Sequence, residues 1–418
     1  MKRYSHNILY NLLIAVVFCV NPLTAKTIVV CSSCQTKSVN AAIAKAADGD
    51  TVLIKKGVYK EHSIIIIEKS ITILGENNPV IDGEFEGTIL SIKAKNVTID
   101  GLTIKNVGSS FTKEYAAILL SYAENFTITN LTIQNAFFGI LVEKSDTGWI
   151  SNNTISGNST NETASGNGIH LWHSKNVTVK NNHVFKMRDG IYLEFVNNSD
   201  VEKNTIKNNL RYGLHFMFSN DNEYHDNLFE NNGAGVAVMF SKQIIMSNNT
   251  FRKNWGTASY GLLLKEINDV QIQNNTFEDN TIAINADGTN RITYHQNDFI
   301  GNGYAIKVHG ACYDNSFTEN NFIHNSFDLA YAGRMNSNKF SNNYWSDYSG
   351  YDLDKDGIGD VPYRPVKLFS YLVNKTPEAI ILLRSLFIDI IDFSEKVSPI
   401  FTPAELVDEQ PKMKRIVW

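Results

Sequence analysis

Apolar and polar positions alternate along this chain in short bursts. Five of the bursts open on glycine: Gly168-Ile-His-Leu-Trp-His173, Gly190-Ile-Tyr-Leu-Glu194, Gly213-Leu-His-Phe-Met-Phe218, Gly235-Val-Ala-Val-Met-Phe240 and Gly261-Leu-Leu-Leu-Lys265. The glycines recur at intervals of 22, 23, 22 and 26 residues, and a period of this size means that one structural unit stacks on the next. Strand alternation sends the first and third residues after each glycine to one face and the second and fourth to the other. The first and third are apolar every time (Ile169/Leu171, Ile191/Leu193, Leu214/Phe216, Val236/Val238, Leu262/Leu264), so they face the core. The second and fourth then form two outward ladders: His170, Tyr192, His215, Ala237 and Trp172, Glu194, Met217, Met239.

The same period runs upstream through Thr88-Ile-Leu-Ser-Ile92, Ala117-Ile-Leu-Leu120 and Gly139-Ile-Leu-Val-Glu143, and downstream through Ala283-Ile-Asn-Ala286, Ala305-Ile-Lys-Val308 and Asp328-Leu-Ala-Tyr331. A second signature repeats beside it: Asn153-Thr-Ile155, Asn182-His-Val184, Asn204-Thr-Ile206, Asn227-Leu-Phe229, Asn249-Thr-Phe251, Asn275-Thr-Phe277 and Asn297-Asp-Phe299. Asparagine tolerates left-handed backbone angles and its amide bonds nearby backbone groups, so these residues predict a ladder at a tight corner. Short strands, a coil of about 22 residues and no leucine-rich consensus predict an all-β chain folded as a right-handed parallel β-helix. Thr27 to Ile54 reads as strand, short helix, strand, an N-terminal cap for the stack. Residues 377–393 read as an apolar helix interrupted by Arg384, Asp389 and Asp392, suited to closing the C-terminal end or docking on a partner. The residues from Pro403 read as a loose tail. The expected divisions are a signal peptide (1–25), a cap with the first coils (26–87), the β-helix (88–346), an acidic loop (347–366) and the helix with its tail (367–418).

Length and charge refine this picture only a little. A chain of 418 residues suits a solenoid, in which each repeat touches only its neighbours, and a net charge of −5 gives nucleic-acid binding no support. Lys2 and Arg3, the apolar run from Ile8 to Val20 and Leu23-Thr-Ala25 make a Sec-type export signal, with an uncleaved anchor as the alternative. Cleavage removes Cys19; Cys31 and Cys34 then close a small disulfide or bind a soft metal, and Cys312 reads as a buried thiol.

Two candidate sites follow. Met217 and Met239 should be neighbours on successive coils, and with His215 they make a soft donor set suited to Cu(I); Glu194, His170 and His173 lie at its margin. A partner would complete the shell, as in a transient handover, and the same Met-rich and aromatic surface also suits a protein interface with no metal in it. The second candidate is Asp352-x-Asp354-x-Asp356-Gly357-x-Gly359-Asp360, the first half of an EF-hand-like loop. Tyr363 stands at its twelfth position, so Asp360 at the ninth would help close a Ca2+ shell; a solvated acidic turn is the alternative. Parallel β-helices also process polysaccharides with outward Asp clusters. Here Arg188, Asp189, Glu194, Lys265 and Glu266 are scattered, and no carboxylate pair recurs.

Three segments, Arg188-Asp-Gly-Ile-Tyr-Leu-Glu194, Arg211-Tyr-Gly-Leu-His-Phe-Met-Phe-Ser-Asn220 and Gly233-Ala-Gly-Val-Ala-Val-Met-Phe-Ser241, resemble the central motifs of the NosD family, periplasmic maturation proteins of nitrous oxide reductase. The layout from Asn343-Tyr-Trp345 to Pro362-Tyr363 and the apolar C-terminal helix are similar too. The resemblance implies a non-enzymatic periplasmic subunit, peripheral to the membrane. It would dock on the permease and ATPase subunits of an ABC transporter, meet a copper chaperone lipoprotein, and help deliver copper to the copper-sulfur cluster of nitrous oxide reductase. The Cys31-Ser-Ser-Cys34 pair has no counterpart in that resemblance. The rival functions are a polysaccharide lyase or epimerase and a purely structural adaptor.

Overall fold

The computed structural model describes residues 25–397, apart from 111, 159, 257–258, 335–336 and 384, together with residues 406–418. All but the last residue of the expected export signal, Cys19 included, lies outside the described residues, as does Arg384. Three long parallel sheets run side by side along the chain, and each coil adds one strand to each. The front sheet extends from Ile64–Ile67 to Phe327–Arg334 and carries the glycine-led segments. The second runs from Thr27–Val30 to Lys339–Ser341, and the third from Val58–Lys60 to Tyr344–Trp345.

Side chains of strict two-residue period fill one continuous core. In the three-residue strands of the second and third sheets the middle residue alone points inward, as Val201 and Tyr224 do in one and Ile206 and Phe229 in the other. Phe229, Phe251, Phe277, Phe299, Phe322 and Trp345 stack ring on ring at 4.1 to 5.3 Å. Front-strand glycines are required by close approach: a Cβ at Gly213 would sit 2.6 Å from the Gly235 carbonyl oxygen of the next coil.

The predicted asparagine ladder is present, with its geometry shifted by one residue. The left-handed angle falls on the residue before each ladder member (Asn152, Asn181, Lys203, Asp226, Asn248, Asn274, Gln296), because the ladder amide itself must point inward. Asn204 donates from its backbone N–H and its Nδ2 to Asn227 Oδ1, at 2.9 and 3.0 Å, and from Nδ2 to the Val179 carbonyl. Asn227 repeats this pattern onto Asn249. A second ladder, Asn209, Asn232, Asn254, Asn280, Asn302 and Asn325, does the same work at the corner between the third and front sheets. Between the front and second sheets the corner residues with positive φ include His173, Phe195, Phe218 and Phe240.

The ends close differently. Helix α1 (Val39–Lys45) packs Val39, Ala42 and Ile43 into the core. Cys31 and Cys34 are joined in a disulfide, so neither offers a thiolate to a metal, and Cys312 is a buried free thiol. At the other end the expected single helix over 377–393 is replaced by α2 (Leu368–Lys375), a 3-10 turn (Pro377–Leu382) and α3 (Leu386–Val397). Phe369, Val373 and Ile388 bury themselves against Phe327. The residues from Leu406 onward are no loose tail. Asn343 donates from its backbone N–H and Nδ2 to Asp408 Oδ2, at 3.1 and 2.9 Å, so a carboxylate takes the place of the next ladder amide. Trp345 Nε1 donates to the same oxygen at 3.0 Å, and Ile416 N–H reaches back to Asn321 Oδ1.

Candidate functional site

Register fixes which side chains share the outer wall of the front sheet. His170 pairs with Tyr192, Tyr192 with His215 and His215 with Ala237; two residues on, Trp172 pairs with Glu194, Glu194 with Met217, Met217 with Met239 and Met239 with Lys265. The two ladders are therefore continuous, and neighbouring strands place Met217 and Met239 about 4.8 Å apart at the backbone. Both methionines are half-buried. A third row lies along the corner: His173 stacks on Phe195 at 4.6 Å, Phe195 on Phe218 at 5.2 Å and Phe218 on Phe240 at 5.1 Å. The three phenylalanines are each 39% exposed. His173 thus belongs to this corner row and not to the methionine row.

The imidazoles of His170 and His215 stand on the outer wall, yet they do not open to solvent as the simple alternation implies. His170, Tyr192 and His215 stack at 4.6 and 4.4 Å, and the Tyr212 ring closes over His215 at 4.8 Å. The result is 7% exposure for His170 and 5% for His215. Behind them Asp189 is fully buried; Arg211 Nε donates to its Oδ1 at 2.8 Å, and His215 Nδ1 lies 3.5 Å from Oδ2. Burial alone would raise the Asp189 carboxyl, but Arg211 and His215 outweigh it and hold it well below the usual carboxylate range. Burial lowers His215 in spite of Asp189, so this imidazole is neutral at neutral pH, and neither ring nitrogen makes a hydrogen bond. Glu194 is drawn to His170, whose Nε2 is 3.8 Å away and lowers the carboxyl. The Tyr192 hydroxyl donates to Met217 Sδ at 3.5 Å.

Chemically, the wall offers two adjacent thioethers, a neutral imidazole two positions along one strand, and Glu194 beside Met217. His170 lies two coils from His215, with the Tyr192 ring between them. The two thioethers are soft and, with the neutral imidazole, suit Cu(I).

The acidic loop gathers ligand atoms of Asp352, Asp354 and Asp356 within 4.8 Å of one another. Gly357, at φ +86°, turns the chain so that its N–H donates to Asp352 Oδ2 at 2.9 Å. Asp360 accepts from the Leu353 N–H at 2.7 Å, and Tyr363 packs on Trp345 at 5.0 Å. The C-terminal residues clamp this loop, Gly359 N–H donating to the Pro411 carbonyl and Met413 N–H to that of Gly357. A third group, Asp200, Glu202 and His225, converges on the second sheet. The sequence carried its signal as Asp-Val-Glu and Glu-Tyr-His one coil apart, the same alternation as the glycine-led strands without the glycine.

The chain is similar to known proteins over most of its length. Residues 24–163 and 151–350 match the family model described as "Periplasmic copper-binding protein (NosD)". A protein of Stutzerimonas stutzeri named "Probable ABC transporter binding protein NosD" is 28% identical over 390 residues, covering 83% of this chain and 84% of its own. One of the same name from Pseudomonas aeruginosa is 27% identical over 368 residues, covering 84% and 85%. Among solved structures, the catalytic unit of an alpha-1,3-glucanase from Streptomyces thermodiastaticus superposes with a TM-score of 0.58 at 16% identity, over 75% of this chain and 65% of that one. That likeness is one of fold alone.

Proposed function

Because the chain belongs to the NosD family of periplasmic copper-binding proteins, we propose that it is a periplasmic accessory protein that receives Cu(I) and passes it on during maturation of the copper-sulfur cluster of nitrous oxide reductase. The observation that carries this reading is the register of Met217 on Met239, two half-buried thioethers side by side with neutral His215 on the same strand. Cu(I) is cargo here. The three donors leave room for a ligand from a second protein, and the exposed rings of Phe195, Phe218 and Phe240 give a copper chaperone lipoprotein a flat apolar surface to cover. Glu194 and His170 lie at the edge of this site, 3.8 Å from each other.

The C-terminal helices supply the second contact. Ile381, Leu386, Phe387, Ile390 and Phe393 are exposed, and no helix among the described residues is long and apolar enough to cross a membrane. This apolar face would dock on the permease of an ABC transporter, whose ATPase lies beyond it, which keeps the protein peripheral to the membrane. The acidic loop, with Asp352, Asp354, Asp356 and Asp360, would bind Ca2+ and fasten the end of the solenoid to its C-terminal residues. The reading is non-enzymatic: Asp189, the buried carboxylate of this wall, has both oxygens held by Arg211, Oδ1 by Nε and Oδ2 by Nη2, so it is not free to act as a base.

Replacing both Met217→Leu and Met239→Leu tests the proposal. Each swap keeps volume and costs under about 1.5 kcal/mol, so the fold stays. Copper loading of reductase matured beside the double variant should drop by about tenfold or more, matching the loss of at least about 1.4 kcal/mol of binding. Unchanged loading would remove the metal assignment, and detectable uronate cleavage or epimerisation by the purified protein would favour the enzymatic alternative.

A further inference from the structure

On the second sheet, facing away from the methionine wall, two adjacent coils bring an imidazole and two carboxylates to one point. Val201 and Tyr224 are buried in the core, so strand alternation turns Asp200 and Glu202 outward from one strand and Glu223 and His225 outward from the next. Glu202 is in direct register with His225. His225 Nε2 lies 3.3 Å from Asp200 Oδ1 and 3.9 Å from Glu202 Oε2. The other ring nitrogen, Nδ1, is 3.0 Å from Asp226 Oδ2.

We propose that Asp200, Glu202 and His225 form a second metal site, which takes a divalent transition ion of the Zn(II) or Cu(II) kind through His225 Nε2 and one oxygen of each carboxylate, with water completing the shell. Three features separate this cluster from an ordinary surface ion pair. The first is spacing. Bonds of about 2.1 Å around a tetrahedral ion set ligands roughly 3.4 Å apart, and 3.3 and 3.9 Å lie close to that. The second is an unmet acceptor. Asp200 Oδ1 is enclosed and makes no hydrogen bond, although His225 Nε2 stands 3.3 Å from it. Lone pairs that converge in this way fit a cation between them better than a shared proton. The third is orientation. A metal-ligating histidine usually gives its other N–H to a carboxylate, which fixes the ring and its tautomer, and Asp226 stands in that position.

The surrounding charges favour the same oxygens. Lys180 Nζ holds Glu202 Oε1 at 2.5 Å, leaving Oε2 for the imidazole side. Lys203 Nζ is 3.7 Å from Oε2 but half-exposed, free to swing into water when an ion arrives. Asp200, Glu202, Glu223 and Asp226 supply the negative charge and Lys180 and Lys203 the positive. With one imidazole, two carboxylates and no sulfur, the donors suit a borderline divalent ion and disfavour Cu(I). The site therefore does not depend on the methionine wall or on the reading built upon it.

The test is titration of the full chain with zinc chloride and with copper(II) chloride against a competing chromophoric chelator. The wild type is compared with Asp200→Asn/Glu202→Gln and with His225→Gln. An Asp352→Asn/Asp354→Asn control accounts for the acidic loop. The site predicts that both cluster variants lose one equivalent of ion, or at least tenfold in affinity, while the loop control keeps it. Bound Cu(II) should show coupling to one imidazole nitrogen in its electron paramagnetic resonance spectrum, a coupling absent from His225→Gln. His225 is partly exposed, so this single change leaves the core packing alone, and circular dichroism checks it. Equal stoichiometry and affinity in wild type and in both cluster variants would overturn the proposal.

Discussion

The same two coils carry two opposite kinds of surface. On the front sheet, residues 213–240 present thioethers and stacked rings with a neutral imidazole among them; on the second sheet, residues 200–226 present carboxylates around an imidazole drawn toward its charged form. Strand geometry is alike in both places, with outward residues alternating with buried ones. What differs is desolvation. The front wall buries its polar groups under rings, which pushes His215 toward neutrality, whereas the back cluster stays open enough for Asp226, Asp200 and Glu202 to raise His225 against the effect of burial. A parallel β-helix can therefore set soft donors on one sheet and borderline donors on another by what it stacks over each.

The largest effect should come from breaking the ladders beneath the two faces one at a time. Asn227 lies at the corner behind His225, and Asn232 at the corner before the Gly233 to Phe240 segment. Asn227→Ala strands the Asn204 N–H and the Val201 carbonyl, which now share bonds of 2.8 to 2.9 Å with the amide. Asn232→Ala does the same to the Asn209 N–H and the Ile206 carbonyl. Each loss should cost roughly 2–4 kcal/mol in chemical denaturation. Asn227→Ala should weaken divalent-ion binding more than Cu(I) binding, and Asn232→Ala the reverse. Equal losses on both faces from either variant would show that the coils respond as one body and that the two surfaces are not separable.

The front register was legible because glycine and strict alternation marked it, and a Cβ at Gly213 has nowhere to go. The second asparagine ladder was equally open to reading: Asn209, Asn232 and Asn254 each follow a member of the first ladder by five residues. So was the Asp200, Glu202 and His225 cluster, once the alternation is followed on a strand that lacks glycine. The cover over His215 was not, because alternation says which side a residue takes and nothing about the Tyr212 ring folding across it. Nor was the role of Asp408, whose partner Asn343 is 65 residues away; no periodicity links an isolated aspartate to the end of a ladder it completes.

A smaller and more diagnostic difference lies in pH. A histidine binds a metal only when neutral, so a raised pKa at His225 makes protons compete with the ion. As pH falls through that raised value the back site should lose affinity for Zn(II), by up to about tenfold per pH unit, and level off above it. The thioethers of Met217 and Met239 carry no proton in this range, and His215 is already neutral because burial lowers it. Cu(I) affinity measured against a chelator of known pH behaviour should then vary less than Zn(II) affinity between about pH 6 and pH 8. A matching slope on both faces would mean that His215 exchanges its proton with solvent, against the burial that defines the front wall.

The smallest effect concerns one hydroxyl. Tyr192 lies between His170 and His215 in the ring stack, and its O–H donates to Met217 Sδ. Burial, then the charges of Glu194 and Asp189, push the phenol up, so it keeps its proton and remains a donor. A thioether lone pair engaged by that proton is less available to Cu(I). Tyr192→Phe keeps the ring stack and removes the competitor, so Cu(I) affinity should rise by about two- to fivefold, the equivalent of roughly 0.4–1 kcal/mol for a weak hydrogen bond. Zn(II) or Cu(II) binding at Asp200, Glu202 and His225, on another sheet, should not move. If Cu(I) affinity falls instead, the hydroxyl holds the sulfur in place for the metal, and the front site is built by its ring stack as much as by the methionines.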